Sequence, residues 1–122
     1  MKVLLVGHCL PDRVALSRAV RRALPEAAAD GVNSDRALQK ALGSASLLLV
    51  NRALDGRFSD DDGVALIVRL VGAGAPPMML ISDHADAQAA AVAAGALEGF
   101  GKAALRGEST AQRLRAAAGP RQ

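Results

Sequence analysis

The chain has 122 residues, a formal net charge of +3 and 51% apolar residues, with no Trp or Tyr, two Phe and one Cys. That length makes one domain with a single core. The lone Cys9 excludes an internal disulfide and fits a reducing cytoplasm, and no apolar run is long enough for a membrane span. The arginines lie scattered along the chain, without the basic stripe, stacking aromatics or motif of a nucleic-acid binder, so nucleic acid is not an expected partner.

Taken in order, residues 2–6 read as a first strand, with no signal-peptide pattern, leading into Gly7-His8-Cys9-Leu10. Pro11 and Asp12 suit the first turn of a helix. Leu16, Val20, Ala23 and Leu24 form its expected buried stripe, with arginines opposite, and Pro25 stops it. A short second strand is expected within 27–33. Ser34 then caps a second helix through Leu38, Ala41 and Leu42, closed by Gly43. The third strand spans 46–51. In the loop 52–62, Asp60, Asp61 and Asp62 are read as capping an apolar third helix over 63–71. Gly72, Gly74, Pro76 and Pro77 turn the chain into a fourth strand, 78–82. Asp83 or His84 opens an Ala-rich fourth helix that Gly95 ends, a fifth strand covers 97–101, and Ser109 caps a last helix through Leu114. Residues 1–118 thus make one domain, and 119–122 are expected to fray. Strands alternating with helices on short loops specify an α/β fold, a five-stranded parallel sheet with helices on both faces.

Four apolar runs each end on polar residues: 3–6 before Gly7-His8, 47–50 before Asn51, 78–81 before Ser82 and 97–101 before Lys102. In an open α/β sheet, ligands and chemistry collect at the C-terminal ends of the strands, so these residues should converge. None of them is a carboxylate.

The order of elements and these strand ends resemble the receiver domain of two-component response regulators. "PPMMLIS" is similar to that family's fourth strand with its terminal hydroxyl, and "AVAAGALEGFGK" to the segment leading to its lysine, here Lys102. "LLLVN" ends where the family's phosphorylated aspartate sits, and Asp62-Gly63 resembles the pair that opens its third helix. The resemblance implies a doubly wound, flavodoxin-like sheet in strand order 2-1-3-4-5. It also implies a Mg²⁺ site and a phosphoryl-accepting aspartate, because a hard cation and in-line phosphoryl transfer need clustered oxygen anions. Here the sequence departs. Gly7 and His8 stand at the acidic pair, and Asn51 stands at the acceptor, where an amide cannot form an acyl phosphate. Ala103 replaces the usual proline after the lysine, Gly99 occupies the aromatic switch position, and the loop 52–62 is longer than usual.

The expected function is therefore that of a pseudo-receiver: a non-enzymatic, cofactor-free signalling module that contacts a protein partner or a second copy. The degenerate pocket comprises Gly7, His8, Asn51, Ser82 and Lys102, with Lys102 pairing to Asn51, Asp12 or Asp83. The expected partner face is that of the fourth helix, fifth strand and fifth helix, through Ala87, Ala91, Ala94 and Phe100. Two alternatives stay open. One is phosphorylation of a displaced aspartate, Asp12 or Asp55. The other is a metal or small-ligand sensor using His8, Cys9, Asp83 and His84, whose imidazole, thiolate and carboxylate groups are transition-metal ligand types.

Overall fold

The computed structural model describes residues 1–118; the tail expected to fray lies outside the described residues. The apolar runs form strands β1 (Lys2–Val6), β3 (Leu47–Asn51) and β4 (Met78–Ile81), buried almost throughout. Two more exposed strands, β2 (Ala28–Val32) and β5 (Leu97–Phe100), form the edges. All pairings are parallel, in the order β2-β1-β3-β4-β5, the doubly wound order that the resemblance implies. The intervening helices are α1 (Leu10–Ala23), α2 (Asp35–Ala41), α3 (Gly63–Gly72), α4 (Ala85–Ala93) and α5 (Glu108–Ala118).

Alternation along the strands sorts the core into two layers. Leu4, Val6, Leu48, Val50 and Leu80 pack with Leu66, Ile67, Leu70 and Ala91 on the face covered by α2, α3 and α4. Val3, Leu5, Leu47, Leu49 and Ile81 pack with Leu16, Val20, Phe100 and Leu114 beneath α1 and α5. Each fully buried Leu or Ile contributes about 1.5–3 kcal/mol of transfer free energy. Among the described residues no helix is long and apolar enough to cross a membrane.

Caps follow side-chain chemistry. Ser34 Oγ accepts from Ala37 N at 3.0 Å to start α2, and Asp62 Oδ1 accepts from Ala65 N at 2.9 Å to start α3. Asp60 does not cap; its carboxylate takes the Arg69 guanidinium at 2.8 Å, which also reaches Asp35 at 3.3 Å. The expected Ser109 cap is incorrect. α5 already begins at Glu108, because Thr110 Oγ1 donates to Ala104 O at 2.7 Å and ties the first turn to the preceding 3-10 turn, Lys102–Ala104. Leu24 lies just past α1, half-buried, with its N–H on Val20 O.

Candidate functional site

The C-terminal ends of β1, β3 and β4 meet at one edge, and a pocket of about 180 Å³ opens there between Asn51, Arg52, Ser82, Asp83, His84 and Lys102. Asn51 and Ser82 are buried, while Lys102 and His84 stand at the exposed mouth. Of the expected strand-end residues, Asn51, Ser82 and Lys102 line this pocket and each is engaged by the protein itself, while Gly7 and His8 do not line it.

Asn51 uses its amide as a donor. Nδ2 donates to Gly7 O at 3.0 Å and to Ala53 O at 2.8 Å, which clamps the end of β3 to the end of β1. Gly7 takes φ +75°, and a Cβ there would fall 2.7 Å from Leu54 Cδ2. Only glycine suits both the left-handed backbone and that close approach. Asp55 N adds a bond to Gly7 O at 2.8 Å, so the β3–α3 loop lies directly over the β1 end.

The positive φ at Gly7 breaks strand alternation, and the next residue points inward. His8 is 1% exposed, with Nε2 on Leu49 O at 2.9 Å; Nδ1 is buried without a hydrogen-bond partner among the described residues. Burial pushes the His8 imidazole below its usual 6.5; the Leu49 carbonyl and Asp12 oppose this and the Lys102 ammonium assists it. His8 is thus a neutral core residue.

Of the three partners expected for Lys102, Asn51, Asp12 and Asp83, it pairs with Asp12, at Nζ–Oδ2 2.6 Å. The hydrogen bond from Lys102 holds the Asp12 carboxyl below its usual range, and the Cys9 thiol adds to this. Both side chains are about a third exposed, so the pair is worth only about 0–1 kcal/mol. Asp83 instead receives Ala103 N at 3.4 Å, and Ser82 Oγ accepts from His84 N at 3.1 Å. The Lys102–Ala103 peptide is trans, like every described peptide bond.

The proposed metal set is not assembled. His8 is in the core and His84 is exposed, and among the described residues no three His, Cys, Asp or Glu side chains are placed to hold a metal ion.

The partner-face residues require correction. Ala91 and Phe100 are buried, at 0% and 4% exposure, and Ala87 and Ala94 pack half-buried against the α3 side of the core. The helical 3.6-residue repeat turns the alanines inward, and Phe100 is buried from β5. The outward groove between α4, β5 and α5, about 790 Å³ in volume, keeps Phe100 of the expected residues and is otherwise lined by Ala89, Val92, Ala93, Glu98 and Arg113.

Two positions went unnoticed in the sequence. Asn33 directly follows β2, and its Nδ2 donates to His8 O at 3.0 Å and Asp55 O at 2.8 Å, stitching the long loop across the strand ends. Gln88, the only long polar side chain inside the described span of α4, reaches into the sheet. Its Nε2 donates to Leu80 O at 2.8 Å and Ser82 O at 3.0 Å, and its Oε1 accepts from Gly99 N at 3.2 Å. This replaces ladder bonds lost at the β4–β5 register shift. A Cβ at Gly99 would fall on the Leu80 carbonyl oxygen, so no side chain fits the aromatic switch position.

No protein-family model matches this chain, and no curated protein matches it. Solved structures do. A putative response regulator from Chloroflexus aurantiacus is 20% identical with a TM-score of 0.75, covering 96% of each chain. A response regulator receiver protein from Pseudoalteromonas atlantica is 20% identical with a TM-score of 0.74, again over 96% of each. An orphan response regulator from H. pylori is 15% identical with a TM-score of 0.72, over 98% of this chain and 97% of that one. The chain has the fold of the response-regulator receiver domains.

Proposed function

We propose that this chain is a receiver-fold signalling module of the cytoplasm that works through protein contacts, without a catalytic step and without aspartyl phosphorylation. The observation that carries this reading is the Asn51 amide, which spends its N–H groups on the Gly7 and Ala53 carbonyl oxygens. A carboxylate acceptor would have no such partners, and an amide nitrogen cannot be the oxygen nucleophile of phosphoryl transfer. Around it, the neutral His8 faces the core, the Asp55 N–H occupies Gly7 O and the nearby Asp12 carboxylate is paired to Lys102, so residues 7 and 8 supply no anion for a hard cation. The displaced-aspartate alternative has less support: Asp12 is committed to Lys102, and Asp55 is exposed on the loop.

Contact with a partner or a second copy would use the groove between α4, β5 and α5. Gln88 and Arg113, whose Nη1 donates to Gly99 O at 2.6 Å, hold that face in one arrangement. The signal would then be the shape of this face.

Incubation with acetyl phosphate and Mg²⁺, followed by intact mass measurement, tests the reading. The unchanged mass is expected. A stable phosphoryl adduct would overturn it, and Asp12→Ala and Asp55→Ala variants would locate the acceptor.

A further inference from the structure

A second concavity lies away from the strand-end pocket, between α1 and the outer edge of the sheet, with a volume of about 450 Å³. It exists because the α1-facing positions of β2 are Ala29 and Gly31, in register with Val3 and Leu5 of β1. Neither reaches up to the helix; the Arg13 side chain lies directly over Gly31, where a Cβ would fall 2.6 Å from its Nη1. Arg13, Ser17 and Arg21 line it at successive i, i+4 spacings, with Arg18 beside them.

None of these three arginines is in an ion pair among the described residues. The one carboxylate of the groove, Asp30, is 3.3 Å from Lys2 Nζ. The groove therefore presents unneutralised guanidinium groups, the cations best suited to carboxylate partners.

The strand beneath them is an open edge, since β2 pairs only with β1. Ala28 N donates to Met1 O, and Val32 O accepts from Gly7 N, both towards β1. By alternation, the main-chain groups of Ala29 and Gly31 face outward. Along α1, Arg13 and Arg21 are about 12 Å apart at 1.5 Å per residue. Alternate side chains of an extended strand recur every 6.6–7 Å or so, and two such steps match that span. One small oxyanion cannot bridge it, and no aromatic side chain lines the groove to stack a base.

We propose that this groove docks an extended acidic segment of a partner protein. The segment adds to the outer edge of β2, its backbone meeting Ala29 and Gly31 and its carboxylates meeting Arg13, Arg18 and Arg21. This goes beyond the reading of the strand-end pocket and uses a different face.

The test titrates the isotope-labelled full chain with a blocked peptide of about seven residues alternating glutamate and threonine, following backbone amide resonances. Saturable shifts confined to α1 and β2 are expected. Arg18→Glu/Arg21→Glu, both at exposed positions, should weaken binding by about tenfold or more. The same peptide with lysine for glutamate should not bind, a control that stands even if the double variant folds poorly. The proposal is overturned by no saturable shift up to about 1 mM peptide, by equal binding of the lysine peptide, or by shifts elsewhere. Tighter binding of a short single-stranded DNA or inorganic phosphate at the same residues would also overturn it. Failure here leaves the acetyl phosphate result untouched, because that reaction is read at the strand ends.

Discussion

Asn51 differs from an aspartate by one NH₂ group, and that group sits 3.0 Å and 2.8 Å from two carbonyl oxygens. Asn51→Asp would bring a carboxylate oxygen against both. We expect it to destabilise the fold by about 1–3 kcal/mol, read as a lowered urea midpoint, and to bind no Mg²⁺. Tight Mg²⁺ binding by that single variant would contradict the account of the β1 end. His8 makes a second residue-level prediction. Its native pKa lies below the unfolded value near 6.5, so above that value both states hold it neutral and its effect on stability is constant. Below 6.5 the unfolded chain takes up a proton that the native state refuses, and stability falls until the native pKa is passed. Urea midpoints measured from pH 7 to pH 5 should fall more steeply for the natural chain than for His8→Leu. That variant also removes the His8 bond to the Leu49 carbonyl, which the β1–β3 ladder still engages, a cost of about 0.5–1.5 kcal/mol, but this offset is independent of pH. Equal slopes would show that His8 is not the buried neutral group described. The sequence identified both residues as polar strand ends. It did not reveal that His8 turns inward, because that depends on the left-handed backbone at Gly7 and the leucine packed against it.

At the scale of elements, α4 packs on the sheet through Ala91 and is hydrogen-bonded to it through Gln88. Gln88 bonds β4 through the Leu80 and Ser82 carbonyls and β5 through the Gly99 N–H. Gln88→Leu keeps the volume and removes all of these bonds. It should cost about 1–3 kcal/mol and accelerate hydrogen exchange at Gly99 by about tenfold or more. Unchanged protection at Gly99 would mean that the strand pairing, not Gln88, holds β5. The helices and their stops were legible because Pro11, Ser34, Asp62 and Gly95 act locally at their ends. The α5 start was not, because Thr110 is fixed by a carbonyl six residues earlier rather than by a cap. The residues of the partner face were misassigned for a related reason. Alanine spacing gives no phase, and only packing shows that Ala91 faces Leu66 and the sheet while Ala89 and Val92 face outward.

For the molecule as a whole, the parallel α/β sheet was legible because four apolar runs of strand length alternate with helical patterns, while the strand order came from the resemblance to receiver domains. The loop over the strand ends was not legible. Its path depends on Asn33, on Asp55 N to Gly7 O at 2.8 Å, and on Arg57 N to Asn33 O at 2.8 Å, contacts distant in sequence. The central claim is that one arrangement of the strand ends and of α4 persists whatever phosphodonor is present. It is tested most directly by backbone amide spectra of the chain with and without Mg²⁺ and acetyl phosphate. The account predicts superimposable resonances for Gly7, Asn51, Ser82, Gln88, Gly99 and Lys102. Concerted shifts at the strand ends together with α4 and β5 would contradict it.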